Sequence, residues 1–288
     1  MPAPLTRRRF LAASLLLTGG AVSCARPTET MSDPTTTVTS TRMETAAPVT
    51  QTSARMPAPE AYAGEVPQAF GTHLPGIVDT VPTTPGARTV ALTFDACSGL
   101  YDAALIQVLR EHRVPATLFL AQPWIEAHPD ITAELVADPL FHIENHGTRH
   151  VPLTVAGQPA YGIHGTASPA EAIAEIRGNA DTLAGFGVQS RWFRAGTAHY
   201  DDVAVRIAGD AGMQIAGFSV NGDYGATSGA HAVAQQIIGA PDGAIVLAHM
   251  NHPGSGTAAG VRQALSSLSD VRFVLLDDHQ HRVAPHHP

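Results

Sequence analysis

From residue 89 onward, unbroken apolar runs alternate with stretches in which apolar positions recur every three or four residues. Thr89 to Phe94 is apolar and β-branched, and it stops at a carboxylate, Asp95. A short apolar run of this kind suits a strand covered on both faces, and the three-to-four spacing suits an amphipathic helix. On that basis strands are expected at Val90–Phe94, Ala116–Leu120, Phe141–Glu144, Gln189–Phe193, Gln214–Val220, Ala244–Leu247 and Arg272–Leu276. Helices are expected at Tyr101–Arg113, at Trp124–Ala137 with an interruption at Pro129, and at Ser168–Leu183, Asp202–Ala211, His231–Ile238 and Gly260–Leu268. In the first helix Leu105, Ile106 and Leu109 share a face; Ser168-Pro169 supplies a cap followed by a first-turn proline. Strand–helix alternation of this length argues an α/β fold with a parallel sheet, and the number of units suits a barrel better than an open sheet. The chain shows no internal repeat.

Before residue 65 the alternation is absent. Residues 1–23 resemble a twin-arginine signal peptide. Arg7-Arg8-Arg9 is followed by a short apolar stretch, Leu11 to Val22, which is too short to span a membrane. Ala21-Val22-Ser23-Cys24 resembles a lipobox, so Cys24 is expected to carry a lipid that tethers an exported protein to a membrane. The alternative is that Cys24 leaves with the signal. Residues 24–64, rich in Thr, Pro and Ser, are expected to be a disordered tether, because they offer little apolar surface against the entropy of ordering. Residues 65–288 are expected to form one domain. The tail from His281 to Pro288 holds three histidines and reads as a frayed end rather than a metal site.

Composition narrows the function. The chain has 288 residues, 44% of them hydrophobic, and a formal net charge of −8. With no long basic run after the leader, nucleic acid is not expected as a partner. Of the two cysteines, Cys24 and Cys97, one is claimed by the lipid, so no intramolecular disulfide is expected.

The chemistry concentrates at the ends of the expected strands. Asp95 follows TVALTF, His146 and His150 follow FHIEN, Arg194 follows QSRWF, Asp223 follows QIAGFSVNG and His249 follows AIVLA. In a barrel of parallel strands these ends meet at one rim. Each residue also has a plain structural reading. Asp95 could cap the next helix, the histidines could be polar loop residues, and Arg194 and Asp223 could form surface ion pairs. The spacing of His146 and His150 brings two imidazoles to one side of a helical turn, and imidazole suits Zn²⁺ and related divalent ions. His249 could act as a general acid, Arg194 could hold a carboxylate, and Asp223 could fix a histidine tautomer. Two glycine-rich loops, Tyr161–Thr166 and Asn251–Thr257, are expected to shape a substrate groove, plain turns being the alternative.

The collinear set TFD, H-x-x-x-H, FR, GD and L-x-H, from Thr93 to His249, resembles the polysaccharide deacetylase superfamily, carbohydrate esterase family 4. The resemblance implies an irregular (β/α) barrel and a metal-dependent hydrolase that removes acetyl groups from a sugar polymer. By location, the polymer expected is an amino-sugar polymer of the cell envelope such as peptidoglycan. It also implies Asp95 as general base oriented by Arg194, His146 and His150 as metal ligands, and His249 as acid supported by Asp223. Two departures stand out. Where the family reads Thr-Phe-Asp-Asp-Gly, this chain reads Thr93-Phe94-Asp95-Ala96-Cys97, and the Arg194 motif lacks its proline. Ala96 cannot bind metal. Asp95, then Cys97, then Asp223 are the expected replacements for the missing ligand, and Ala96→Asp is expected to restore the family set. Two other readings of the whole chain are a carbohydrate-binding pseudoenzyme and a metal-independent amidohydrolase on the same scaffold.

Overall fold

The computed structural model describes residues 56–276. The signal peptide, Cys24, most of the expected tether and the histidine tail lie outside the described residues. A 3₁₀ turn at Pro59–Tyr62 is followed by β1 (Phe70–Gly71), β2 (Ile77–Val78), β3 (Arg88–Ala96), α1 (Ala103–His112), β4 (Ala116–Leu120), α2 (Gln122–Ala127), α3 (Pro129–Ala137) and β5 (Phe141–Asn145). Then come α4 (Pro169–Ala184), β6 (Trp192–Phe193), β7 (Tyr200–Asp201), α5 (Asp202–Asp210), β8 (Gln214–Ala216), β9 (Val220–Asn221), α6 (Ala230–Ile238), β10 (Ala244–His249), α7 (Gly256–Ser267) and β11 (Val271–Phe273).

The main sheet runs β2-β8-β6-β5-β4-β3-β10-β9, with β11 also on β3, and every pair within it is parallel. β8 pairs with β6 and β2, whereas β9, four residues further on, pairs with β10. One short stretch of chain therefore touches both ends of the sheet, and the sheet curls round into a distorted barrel, the fold expected. The stretch expected as one strand, Gln214–Val220, is split for this reason. At Gly217 the N–H donates to Val78 O, and an added Cβ would stand 2.0 Å from Asp79 Oδ1 and 2.6 Å from Ile77 Cγ2, so any side chain where the chain crosses would force both neighbours to shift.

Local signals explain most element ends. Asp102, not Asp95, caps α1, its carboxylate accepting the N–H of Leu105. Ser168 caps α4 ahead of Pro169, and Asp201 caps α5. α7 starts four residues before the expected Gly260 because Ser255 caps it. Three two-residue strands, β1, β2 and β7, went unpredicted, since two residues carry no period. The ordered fold also begins ahead of residue 65. Tyr62 is buried against α4 and α5 residues, and its hydroxyl donates to Asp210 Oδ2 at 2.6 Å. A single aromatic anchor holds down a segment whose composition alone reads as tether.

Parity along β3 sets up the site. Val90, Leu92, Phe94 and Ala96 pack in the apolar layer beneath the helices, with Leu105, Leu109 and Leu118. Ala91 faces the barrel interior with Phe119 and Ile245. Each fully buried Leu or Phe contributes about 1.5–3 kcal/mol relative to exposure. Thr93 and Asp95 share the interior parity of Ala91. In the register of β3 with β10, Asp95 sits directly beside His249.

Candidate active site

The interior of the barrel at its carboxyl end is polar, and Arg194 organises it. This arginine, just past β6, is completely buried. Its Nη1 donates to Asp95 Oδ1 at 2.8 Å and to Thr93 Oγ1 at 2.9 Å; Nε and Nη2 donate to the carbonyls of Ala216 and Gly217 at 3.1 and 3.0 Å. The guanidinium carbon lies 4.3 Å from the centroid of the Phe119 ring. A planar five-donor group is the side chain able to satisfy this many acceptors without water. Burial by itself would raise the pKa of Asp95, but Arg194, followed by His146, holds it below the usual carboxylate range, so Asp95 is ionised.

The H-x-x-x-H segment is not the helical turn expected. Residues 146–150 form a loop in which Gly147 and His150 both take left-handed conformations, with φ of 87° and 60°. Glu175, buried on α4, holds this loop. Its carboxylate accepts the backbone N–H of Arg149 at 2.9 Å and of His150 at 3.0 Å, and the Arg149 side chain as well. No strand-end pattern points to Glu175; only its place on the inward face of an amphipathic helix, where a carboxylate is out of keeping, marks it. The imidazoles of His146 and His150 end with centroids 4.8 Å apart at 77°. His146 Nδ1 lies 2.8 Å from Arg194 O, which can only accept, so Nδ1 carries the proton and Nε2 is left as a lone-pair donor.

Cys97 completes a cluster with these two residues. Among the described residues, the ligand atoms of Cys97, His146 and His150 all lie within 4.8 Å of one another. The sulfur is 3.7 Å from His146 Nε2, and His150 Nε2 is buried without a hydrogen-bond partner. Burial would push the thiol up, but the imidazoles of His146, His150 and His249 around it outweigh burial and bring its pKa well below the ordinary thiol value. An uncommitted buried nitrogen beside a thiolate and a second imidazole is a donor set that fits Zn²⁺. Asp95 Oδ2 stands 3.6 Å from His146 Nε2, while its other oxygen is committed to Arg194. Ala96 lies on the opposite face of β3, under the helices.

His249, at the end of β10, lines the same cleft as Asp95, Cys97 and His150, a cavity of about 470 Å³. Its Nδ1 is 2.8 Å from Asp223 Oδ1, and its backbone N–H donates to Asp223 Oδ2 at 2.8 Å. Asp223 also accepts the hydroxyl of Thr257 at 2.9 Å. Burial alone would lower the pKa of His249; the hydrogen bond to Asp223 and the neighbouring Cys97 raise it to about 10. Asp223 itself is held below the usual range, burial being outweighed by His249.

The missing proline near Arg194 has a local explanation. The N–H of Ala195 donates to Tyr200 Oη at 2.8 Å, and that of Gly196 donates to Val151 O at 3.3 Å. A proline at either position would lose its bond, and any Cβ on Gly196 would stand 2.2 Å from the carbonyl carbon of His150.

All six strand-end residues expected from sequence line or support this one cleft. Cys97 joins them through geometry, and Glu175 was missed.

Residues 83–216 match the family model described as polysaccharide deacetylase. A chitooligosaccharide deacetylase of Sinorhizobium fredii is 35% identical over 81 residues, which span 27% of this chain and 37% of that relative's length. The crystal structure of the Bc1960 peptidoglycan N-acetylglucosamine deacetylase superposes with a TM-score of 0.59 at 22% identity, covering 69% of this chain and 90% of that one. A carbohydrate esterase family 4 pseudoenzyme from Bacillus anthracis superposes with a TM-score of 0.55 at 23% identity, covering 68% of this chain and 67% of that one. At these identities the two structures attest the fold.

Proposed function

We propose that this chain, whose residues 83–216 match the polysaccharide deacetylase family model, is a metal-dependent hydrolase removing acetyl groups from an amino-sugar polymer of the cell envelope, with peptidoglycan as the first candidate. The observation that carries this reading is the cluster of Cys97, His146 and His150 beside two prepared acid–base pairs, Arg194–Asp95 and Asp223–His249. A module that only binds sugar has no need of a buried uncommitted imidazole nitrogen next to a low-pKa thiol.

In this reading Cys97, His146 and His150 hold the metal, with Cys97 ahead of Asp95 and Asp223 as third ligand, because the carboxylates are engaged by Arg194 and by His249 with Thr257. When bound, a divalent ion supplies a Lewis acid for an acetyl carbonyl and for water. Asp95, kept ionised and oriented by Arg194, takes the proton of the attacking water. His249 presents Nε2 to the cleft because Nδ1 is engaged by Asp223, and it delivers its proton to the departing amine. Asp223 stabilises the imidazolium and fixes its orientation. The protein is further proposed to be exported by the twin-arginine route and anchored through Cys24.

A second reading, a binding pseudoenzyme, rests on Ala96 at the family's ligand position. One experiment decides between them: acetate release from N-acetylglucosamine oligomers and from peptidoglycan by the purified protein, with Zn²⁺ and with chelator. Metal-dependent acetate supports the deacetylase. Saccharide binding with no acetate released at any metal content moves the assignment to the pseudoenzyme.

A further inference from the structure

Between the end of β3 and the start of α1 the chain runs Cys97-Ser98-Gly99-Leu100-Tyr101-Asp102. Ser98, Gly99 and Leu100 are all exposed, so no side chain of theirs anchors the loop in the core. Gly99 has a φ of 82°, and a Cβ there would meet nothing within 4 Å; the left-handed conformation, not crowding, is what suits glycine. An exposed run with few buried contacts is ordinarily among the least stable parts of a fold.

This run is held by its carbonyls instead. Asn251 Nδ2 donates to Ser98 O at 2.7 Å, His128 Nε2 to Gly99 O at 2.8 Å and Trp124 Nε1 to Leu100 O at 3.0 Å. Three consecutive peptide groups are thus fixed by three side chains from two separate parts of the chain. The donors are themselves fixed. Trp124, on α2, is fully buried, and its ring lies 4.8 Å from that of His128 and 6.1 Å from that of Tyr101. On the other side of Cys97, Ala96 O accepts the N–H of Ala121 at 3.0 Å. Cys97 is therefore tied down both before and after.

Asn251 stands two residues beyond His249. Met250, between them, donates its N–H to Asp95 O and accepts the N–H of Asp102, both at 2.9 Å. The segment that carries His249 is thereby laced to the segment that carries Asp95 and Cys97. Asn251 is only 5% exposed, and with Nδ2 on Ser98 its Oδ1 is left buried without a partner. A buried unpaired acceptor is destabilising, so stability alone does not account for an asparagine here.

We infer that Asn251 and Trp124, with His128, are positioning residues of the metal centre: by holding the carbonyls of Ser98, Gly99 and Leu100 they keep the Cys97 sulfur in place against His146 and His150. This rests on the reading of Cys97 as third ligand. Groups that orient a ligand commonly matter 10–100-fold, on the order of magnitude, in metal affinity.

The test uses the full chain with Asn251→Ala and Trp124→Phe, each alone and each combined with Cys97→Ser. Phenylalanine keeps a ring in the core and removes the indole N–H. Zinc affinity is measured by competition with a chromophoric chelator, and the cobalt(II) form is read for its thiolate-to-metal charge-transfer band. Each single variant is expected to lose about tenfold in zinc affinity and to show a weaker band. In the Cys97→Ser background the same changes should alter zinc affinity by no more than about twofold, because they act through the sulfur. Affinity and band unchanged in both single variants, or an equal loss with and without Cys97, would overturn the inference. Failure of the ligand reading looks different: the wild type shows no thiolate band and Cys97→Ser leaves zinc affinity unmoved, which overturns this inference as well.

Discussion

Asp223 holds His249 at two points, taking the ring Nδ1 on one carboxylate oxygen and the residue's own backbone N–H on the other, each at 2.8 Å. Ring and main chain are clamped by one buried group, so the imidazole has one orientation and its Nε2 is the atom left for substrate. Thr257, at the start of α7, donates its hydroxyl to the same Asp223 oxygen that accepts the His249 N–H.

The first consequence is a pH profile. The pKa of His249 is raised to about 10 from 6.5. A general acid works while protonated, so its contribution is complete at neutral pH and falls only as pH rises through the raised value. Asp223→Asn removes the stabilising charge, and the alkaline limb of kcat should move down toward neutrality. A limb that stays in place in that variant would show that Asp223 does not set the protonation of His249.

His249→Ala should lower turnover by about 10²–10⁴-fold while zinc content, measured by elemental analysis, stays at the wild-type level, because a general acid is lost and no ligand is. Loss of the metal along with activity would make His249 a ligand instead.

Cys97 should declare itself spectroscopically. Cobalt(II) bound to the protein is expected to show a near-ultraviolet thiolate-to-metal charge-transfer band, absent in Cys97→Ser, whose affinity for Zn²⁺ should fall by at least about tenfold. A cobalt complex without that band would return the third position to Asp95.

Ala96→Asp is not expected to repair the metal site, contrary to what the motif comparison implies. Ala96 is fully buried in the layer with Phe94, Leu105 and Leu118. A carboxylate there is an unpaired charge in an apolar layer and should cost about 3 kcal/mol or more. A lowered midpoint of thermal unfolding with unimproved Zn²⁺ affinity is the expected result; tighter zinc binding at unchanged stability would mean that the strand end can turn the new side chain inward.

For the leader, Cys24→Ser should release the protein from the membrane fraction, and Arg7→Lys with Arg8→Lys should block export. Unchanged fractionation of the Cys24 variant would remove the anchor.

The sequence by itself determined the layered order of this domain. β4 lies at the residues the apolar run marked, α4 begins at Ser168-Pro169, and all six strand-end residues came together, because burial and period are written locally in residue type. Three things were decided only by the tertiary structure. Closure through residues 214–221 brought Arg194 beneath Asp95, since pairing across strand ends is a property of the whole sheet. Glu175, twenty-five residues from His150, shaped the histidine loop by accepting its N–H groups, so a spacing that reads as a helical turn became a left-handed loop. Strand parity turned Ala96 toward the helices, because a step of one residue along a strand reverses the face, while Cys97, the first residue past β3, came to the two histidines.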